Sequence, residues 1–289
     1  MSNFEAIVLG LVQGLTEFLP VSSSAHLIIV PWLLGWDEPG LSFDAALHLG
    51  TLAAVIFYFW REFLGMARAI PRAISKPKAL VFRRGEIEDE QDRSARLLLL
   101  IAIATIPGLV FGLLGESAIE DLFHTDKHQH LALTIITLVM MGVGLLLLYA
   151  ESVATLSRGM DDLEVPDAAA IGLAQAAALV PGVSRSGATI TLGLFRGLRR
   201  EDAARFSFLL GTPIIAGAGA KGFIDVLQSG LSGQEATAFA LGILTSAISG
   251  FLAIGFLLRY LQRASTRVFV FYRLGLGVVI LVLLATGVR

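Results

Sequence analysis

Apolar stretches long enough to cross a bilayer recur along this chain, and no other feature restricts its fold as much. Residues 43–61, 96–115, 131–149, 236–258 and 268–287 each reach across a hydrocarbon core of about 30 Å at about 1.5 Å per residue. A sixth stretch, 205–225, is punctuated by Pro213 and several glycines but has the same reach. Backbone in lipid finds no water for its amides and carbonyls, so such spans are helices. The expected fold class is an all-α polytopic membrane protein, in keeping with 55% hydrophobic residues, 16% charged residues and a mean hydropathy of +0.75. The net charge of -2 matters less than where the charges lie. Membrane lipids are the expected surroundings, and no nucleic-acid partner is expected. Cysteine is absent, so the redox compartment is not readable from the chain. The first twenty residues hold Glu5 and Glu17 but no Lys or Arg, unlike the basic start of a cleaved signal peptide. The N-terminus is therefore expected to stay on the mature protein.

Two short segments depart from the spanning pattern. Residues 4–18 are helical in pattern but stop at Pro20, and 167–180 stop at Pro181-Gly182. Each is followed by another short apolar helix, at 23–35 and 186–197. Sliding the sequence by 162 positions lays Gly10 on Gly172, Leu11 on Leu173, Gln13 on Gln175, Val21 on Val183, Ser22 on Ser184 and Ser24 on Ser186. The match points to an internal duplication, approximately 4–150 and 166–289. Paired broken helices in matching positions predict re-entrant hairpins that meet near the midplane. Each half then holds one hairpin and three transmembrane helices, and the odd number of crossings inverts the second half. Leu49-Gly-Thr51 against Leu210-Gly-Thr212 extends the repeat.

Basic residues agree with this plan. The connection from Arg61 to Arg96 holds nine Lys or Arg, Arg196 to Arg205 holds four Arg, and Arg259, Arg263 and Arg267 lie in a third connection. All three fall on one side, expected to be cytoplasmic, which places the N-terminus and the mouth of the first hairpin outside. The opposite side receives Asp37-Glu38, the segment 116–130 with Lys127 as its one base, and the segment 225–235 with none. The connection 150–166 fits least well, since Arg158 is its only base among several acids. The long connection 61–96, with its Glu86–Glu90 run, reads as solvated rather than as an amphipathic surface segment.

The chemistry-bearing residues cluster at the two breaks. Gln13 and Glu17 share a helix face, as do Ser23 and His26 on the next helix, so two polar faces meet across Pro20. Ser22, Ser23 and Ser24 open a helix, where hydroxyls and free backbone N–H groups form an anion site. Ser184, Arg185, Ser186 and Thr189 repeat that site and add a guanidinium suited to bidentate phosphate binding. An ionisable group at membrane depth is costly, so Glu17, His26 and Arg185 are functional candidates. Isolated Ser or Thr in a membrane helix is ordinarily a packing group, but clustering at a broken helix beside His reverses that expectation. A purely structural Glu17–Arg185 pair leaves the serines and His26 unexplained. His48, on an apolar helix, reads as an interior hydrogen-bonded residue. His124, His128 and His130 are spaced too irregularly for a specific metal site and read as exposed. Lys221 is expected to reach the interface or to attract phosphate.

At these residues the chain closely resembles the undecaprenyl-diphosphate phosphatase family, the BacA-type bacitracin-resistance proteins, over almost its whole length. Glu/Gln-x-x-x-Glu followed by Pro-x-Ser-Ser-x-x-His fits Gln13, Glu17, Pro20, Ser22, Ser23 and His26. Pro-Gly-x-Ser-Arg-Ser-x-x-Thr fits Pro181, Gly182, Ser184, Arg185, Ser186 and Thr189, with Phe206-Ser-Phe-Leu-Leu210 after them. The resemblance implies hydrolysis of undecaprenyl diphosphate to undecaprenyl phosphate and inorganic phosphate, which recycles the lipid carrier for peptidoglycan. It also implies a plasma-membrane location, a site open to the external face, a divalent cation and bacitracin resistance on overproduction. Many relatives have Glu where this chain has Gln13, and a neutral amide supplies less charge to a cation and cannot act as a base, so of these two positions Glu17 carries more weight for both tasks.

The expected mechanism has Ser23 attack the terminal phosphate with His26 as base, or His26 activate water. Arg185 stabilises the phosphoryl oxygens, Glu17 with Gln13 holds Mg²⁺ or Ca²⁺, and Ser22, Ser24, Ser184, Ser186 and Thr189 orient the diphosphate. The alternative from another class is a transporter or flippase of a polyprenyl phosphate, since inverted repeats are also a transporter plan. A channel would leave Ser and His unexplained. A homodimer is among the expected assemblies.

Overall fold

Among the described residues the chain forms twelve α-helices and a 3₁₀ turn at Met160–Asp162, with no strand longer than a single bridge. The computed structural model describes residues 1–37, 39–82, 89–123, 129–229 and 233–287. Helix α1 (Asn3–Phe18) starts on a capping box in which Ser2 and Glu5 satisfy each other's backbone amides, and it stops ahead of Pro20. Helix α2 (Ser23–Leu34) ends at Gly35 in the left-handed conformation. Helix α3 is Leu41–Tyr58, α4 Trp60–Ser75, α5 Pro77–Phe82, α6 Glu90–Phe123 and α7 Gln129–Val153. Helix α8 (Val165–Ala177) begins with Pro166 in its first turn, where the missing N–H costs nothing, and α9 is Arg185–Phe195. Three long helices follow: α10 (Arg200–Ser229), α11 (Gly233–Leu261) and α12 (Arg267–Thr286).

Five of the helices, α6, α7, α10, α11 and α12, are individually long and apolar enough to cross a membrane. A sixth span exists if the bent pair α3 and α4 is counted as one. Leu113, Leu114, Leu145, Leu252, Phe256 and Phe271 are exposed. Continuous apolar surface of that extent belongs against lipid, and the chain is a multi-pass membrane protein.

Two expectations need correction. The apolar stretch 43–61 does not run through as one helix: the backbone breaks at Phe59, and α4 leaves α3 at 79°. The connection 61–96 is not simply solvated, because α4 and α5 are helical and amphipathic. Met66, Ala69, Ala73 and Leu80 are buried, with the alanines and Leu80 packed beside Ala95 of α6, while Arg61, Arg68 and Arg72 stay on the other face. Of the acidic run, residues 86–88 lie outside the described residues, and Asp89 accepts from Arg72 at 2.6 Å. That hydrogen bond holds the Asp89 carboxyl below its usual range.

Helix α1 packs on α11 and α8 packs on α6, both through glycine. A Cβ on Gly10 would lie 2.5 Å from the carbonyl oxygen of Gly242, and one on Gly172 would lie 2.3 Å from that of Ala104. The duplicated glycine thus permits the same close approach twice. Helix α3 lies against α10 and α11, and α12 against α7. Phe18, Phe59 and Phe208 form the aromatic centre of the main core, with Phe18 and Phe208 edge to face at 5.2 Å.

The basic connections gather at one end. Arg205 pairs with Glu62 at 2.6 Å, Arg96 donates to the carbonyls of Asp161 and Leu163, and Arg200 pairs with Glu151. Thr266 donates through both its amide and its hydroxyl to Glu151. The connection 150–166, the odd one by charge, lies against the 196–205 turn: Arg158 and Arg199 exchange backbone contacts around Gly197, and buried Asp167 accepts from both Arg158 and Arg196. Of its own acids Glu151 is answered by Arg200 of the neighbouring turn, so counting charges along that connection alone is misleading.

Candidate active site

The two Pro breaks come together in space. After Pro20 the chain enters α2 through Ser22 at φ +78°, and after Pro181-Gly182 it enters α9 through Ser184 at φ +69°. Left-handed conformations are uncommon for serine. Each serine turns that geometry into a cap: Ser22 Oγ accepts from the amide of Ala25 at 3.4 Å, and Ser184 Oγ from that of Gly187 at 3.1 Å. The hydroxyls also pair alike, Ser22 with Ser24 at 3.2 Å and Ser184 with Ser186 at 3.3 Å. Ser186 Oγ donates to the carbonyl of Leu19 at 3.0 Å and so joins the second break to the first.

Glu17 stands at the centre, with only 7% of its surface exposed. Its Oε2 accepts from Ser23 Oγ at 2.6 Å and from Gln13 Nε2 at 3.1 Å. Its Oε1 accepts from Arg185 Nη2 at 3.2 Å. His48 approaches the same carboxylate at 3.8 Å through Nε2, while its Nδ1 donates to the carbonyl of Asp44 at 2.7 Å. His48 is therefore hydrogen-bonded, as expected, but it belongs to this cluster. Ser23 is half-buried and Ser24 exposed, whereas Ser22, Ser184, Ser186 and Thr189 are buried. The reachable hydroxyls are on the first break.

The guanidinium of Arg185 is held from two sides. Nη1 donates to the carbonyl of Ser207 on α10 at 2.8 Å, and the hydroxyl of Ser207 pairs with Thr189 Oγ1 at 2.7 Å. Thr189 thus supports Arg185 through Ser207. Nothing in this geometry places its hydroxyl beside Ser23.

His26 makes no hydrogen bond to Ser23 among the described residues. Its Nδ1 faces the carbonyl of Ser22 at 2.6 Å, and because a carbonyl only accepts, that nitrogen carries the proton. The lone pair of Nε2 then receives the Tyr272 hydroxyl at 2.7 Å, the two rings stacked with centroids 5.7 Å apart.

Arg273 is fully buried in the second turn of α12. Its Nε donates to the carbonyl of Met140 at 2.7 Å, Nη1 to that of Pro20 at 3.3 Å, and Nη2 to those of Gly182 and Val183 at 2.9 and 3.2 Å. One side chain therefore holds both breaks. No acid pairs with it among the described residues, so backbone dipoles solvate its charge. Arg273, Tyr272 and Ser207 were missed in the sequence, although an arginine within an apolar span is itself the signal that singled out Glu17.

As a cation site, the donors are oxygens. Gln13 Oε1 is buried without a hydrogen-bond partner among the described residues and shares the face of α1 that carries the Glu17 carboxylate. Those oxygens fit Mg²⁺, which is held by few protein carboxylates together with substrate phosphates, whereas Ca²⁺ would need further oxygens from substrate or water. Among the searched residues no group of three or more His, Asp or Glu is placed to hold a metal unaided. His124 and His128 lie outside the described residues, as does the side chain of Lys221. His130 is exposed.

Comparison with known proteins gives one consistent result. The model of the family described as bacitracin resistance protein BacA matches residues 6–279. The undecaprenyl-diphosphatase of Thermomicrobium roseum is 44% identical over 285 residues, covering 99% of both chains. That of Rubrobacter xylanophilus is 48% identical over 282 residues, 97% of each, and that of a Nostoc species 43% identical over the whole of this chain and 86% of its own. With both motifs meeting at Glu17 and the match running nearly from end to end, the chain belongs to the BacA family of bacitracin-resistance proteins.

Proposed function

We propose that the protein is an undecaprenyl-diphosphate phosphatase of the bacterial plasma membrane, hydrolysing its substrate to undecaprenyl phosphate and inorganic phosphate and so recycling the carrier for peptidoglycan synthesis. The observation that carries this reading is the position of Glu17, which accepts from Ser23 on one oxygen and from Arg185 on the other. That arrangement pairs a nucleophile with a base and puts a phosphate-binding guanidinium beside them.

In this reading Ser23 Oγ attacks the terminal phosphorus, and its proton passes to Glu17. The bridging P–O bond breaks, and undecaprenyl phosphate leaves with the bridging oxygen. Water then cleaves the phosphoserine and restores Ser23. The 2.6 Å contact favours Glu17 over His26 as acceptor of the Ser23 proton. His26 keeps a basic Nε2 under the Tyr272 hydroxyl, and that favours a second reading in which it activates water. Arg185 and the amides at the starts of α2 and α9 stabilise charge on the phosphoryl oxygens. Held by Glu17 and Gln13, a divalent cation would supply further neutralisation of the phosphate oxygens. Ser24 lines the approach, while buried Ser22, Ser184 and Ser186 shape the two turns that present those helix-start amides.

The topology proposed is an inverted repeat, 4–150 and 166–289, each half a hairpin and three transmembrane helices. It is supported by the matched serine caps and by the glycine contacts of α1 on α11 and α8 on α6. The basic end faces the cytoplasm and the site opens outward, as the gathered arginines favour.

The test is release of inorganic phosphate from farnesyl or undecaprenyl diphosphate by purified protein in detergent, with Mg²⁺ and with chelator. Cation-dependent release is expected. No release from folded, lipid-binding protein would move the assignment to a polyprenyl-phosphate transporter.

A second variant tests the role of Arg185 without touching it. A Cβ on Gly211 would stand 1.9 Å from Arg185 Nη1 and 2.2 Å from its Cζ. Gly211→Ala evicts the flexible end of that side chain while favouring helix α10 by about 1 kcal/mol. Phosphate release is expected to fall by about 10²–10³, the loss typical of a removed oxyanion donor, with a lower melting temperature because the helix gain offsets only part of the lost Glu17–Arg185 pair. Full turnover in Gly211→Ala would remove Arg185 from the mechanism.

A further inference from the structure

At the basic end of α11 a groove of about 690 Å³ is lined by Tyr58, Phe251, Leu252, Gly255, Phe256, Arg259 and Tyr260. It lies on the outer face, where Phe251, Leu252 and Phe256 are exposed. Gly255 forms part of its floor: a Cβ there would lie 3.4 Å from the Tyr58 ring. Arg259 stands at its rim, followed on the α11–α12 turn by Arg263 and Arg267. All three arginines are exposed, no hydrogen bond or ion pair is made by their guanidinium groups among the described residues, and residues 259–267 contain no Asp or Glu. Most other arginines at this end are engaged: Arg158, Arg196, Arg199, Arg200 and Arg205 each have a carboxylate. Aromatic residues mark the interface level here, with Tyr58 and Tyr260 in the groove and Trp60, two residues after Tyr58, under the Arg61 guanidinium at 5.3 Å.

We infer that this groove is a binding site for an anionic phospholipid, with one acyl tail along Phe251, Gly255 and Phe256 and the phosphate on Arg259 and Arg263. An apolar trough ending in uncompensated positive charge at the interface matches that chemistry on both counts. Its volume is that of a pocket for one drug-sized ligand, which fits an acyl tail and not a whole long polyprenyl chain. The site is separate from the Glu17 cluster and stands whether or not the catalytic assignment does.

The experiment is native mass spectrometry of the delipidated protein titrated with phosphatidylglycerol or phosphatidylcholine, together with thermal melting in the same mixtures. Phosphatidylglycerol is expected to bind more tightly and to raise the melting temperature. Arg259→Gln should lower that preference about fivefold, as should Arg263→Gln, in line with the usual worth of one basic side chain near an anionic lipid surface. Gly255→Leu fills the trough and should weaken both lipids. Arg68→Gln, at the same end on α4, should change nothing, and phosphate release in lipid-free detergent should be unaltered by the groove variants. The inference is overturned by equal binding of the two lipids. It is also overturned if Arg68→Gln matches Arg259→Gln, which would indicate bulk charge alone, or if farnesyl phosphate displaces phosphatidylglycerol, which would indicate a product site.

Discussion

Glu17→Gln is expected to lower phosphate release by about 10³-fold, within the range lost when a positioned acid–base group is removed. The substitution keeps the shape of the side chain, and its amide oxygen can still accept from Ser23. It removes the charge that answers Arg185 and the basicity needed to take the Ser23 proton. It also removes the one carboxylate offered to a cation, because residue 13 is already an amide. Both losses act on the chemical step, so kcat should fall more than KM changes. Melting temperature serves as the control: Arg185 keeps the Ser207 carbonyl, and the fold should survive. Retained turnover in folded Glu17→Gln would leave Ser23 without its base and make water activated by His26 the better mechanism.

Arg273→Met should have the largest effect on stability. The guanidinium donates to four carbonyls on three separate segments: Met140, Pro20, and Gly182 with Val183. Methionine fills much of the volume but donates nothing, and each buried acceptor left unmade costs about 1–3 kcal/mol. The sum is several kcal/mol, comparable to the net stability of many domains. Thermal unfolding in detergent should show a large fall, with activity lost in parallel because both serine-capped turns lose their anchor. Arg273→Lys keeps a charge and three donors without the planar fork, and its melting point should fall between the two. An Arg273→Met protein that melts with the parent would show that the carbonyls find other donors and that the clamp is dispensable.

What was legible in the sequence follows from the kind of signal each residue gives. The two short helices that end before Pro20 and Pro181 and the apolar cores of the long spans were legible, because prolines and apolar runs act locally. Gln13, Glu17, Ser23 and Arg185 were legible as a group because polar side chains are costly in an apolar chain unless they satisfy one another, and they do lie in contact. The break at Phe59 was not, because Tyr58-Phe-Trp60 continues the apolar run and the bend comes from α4 packing on α6. Arg273 was hidden by the strongly apolar residues around it, which carry any hydropathy average across a single arginine. His26 was identified, but its partner Tyr272 is 246 residues away and no spacing rule reaches that far. Ser207 stood inside a matched motif without a role, since its task is to hold Arg185 through a carbonyl that every residue has.

The Arg273 clamp also bears on how the protein is made. Synthesis runs from the N-terminus, so both serine-bearing turns are complete well before α12 is translated and inserted. Until then the carbonyls of Pro20, Gly182 and Val183 lack the donor that gathers them. A nascent chain thus carries every motif residue before it carries the guanidinium that joins the two turns. Arrival of the last helix supplies that clamp, so the final joining of the two halves waits for the end of membrane insertion.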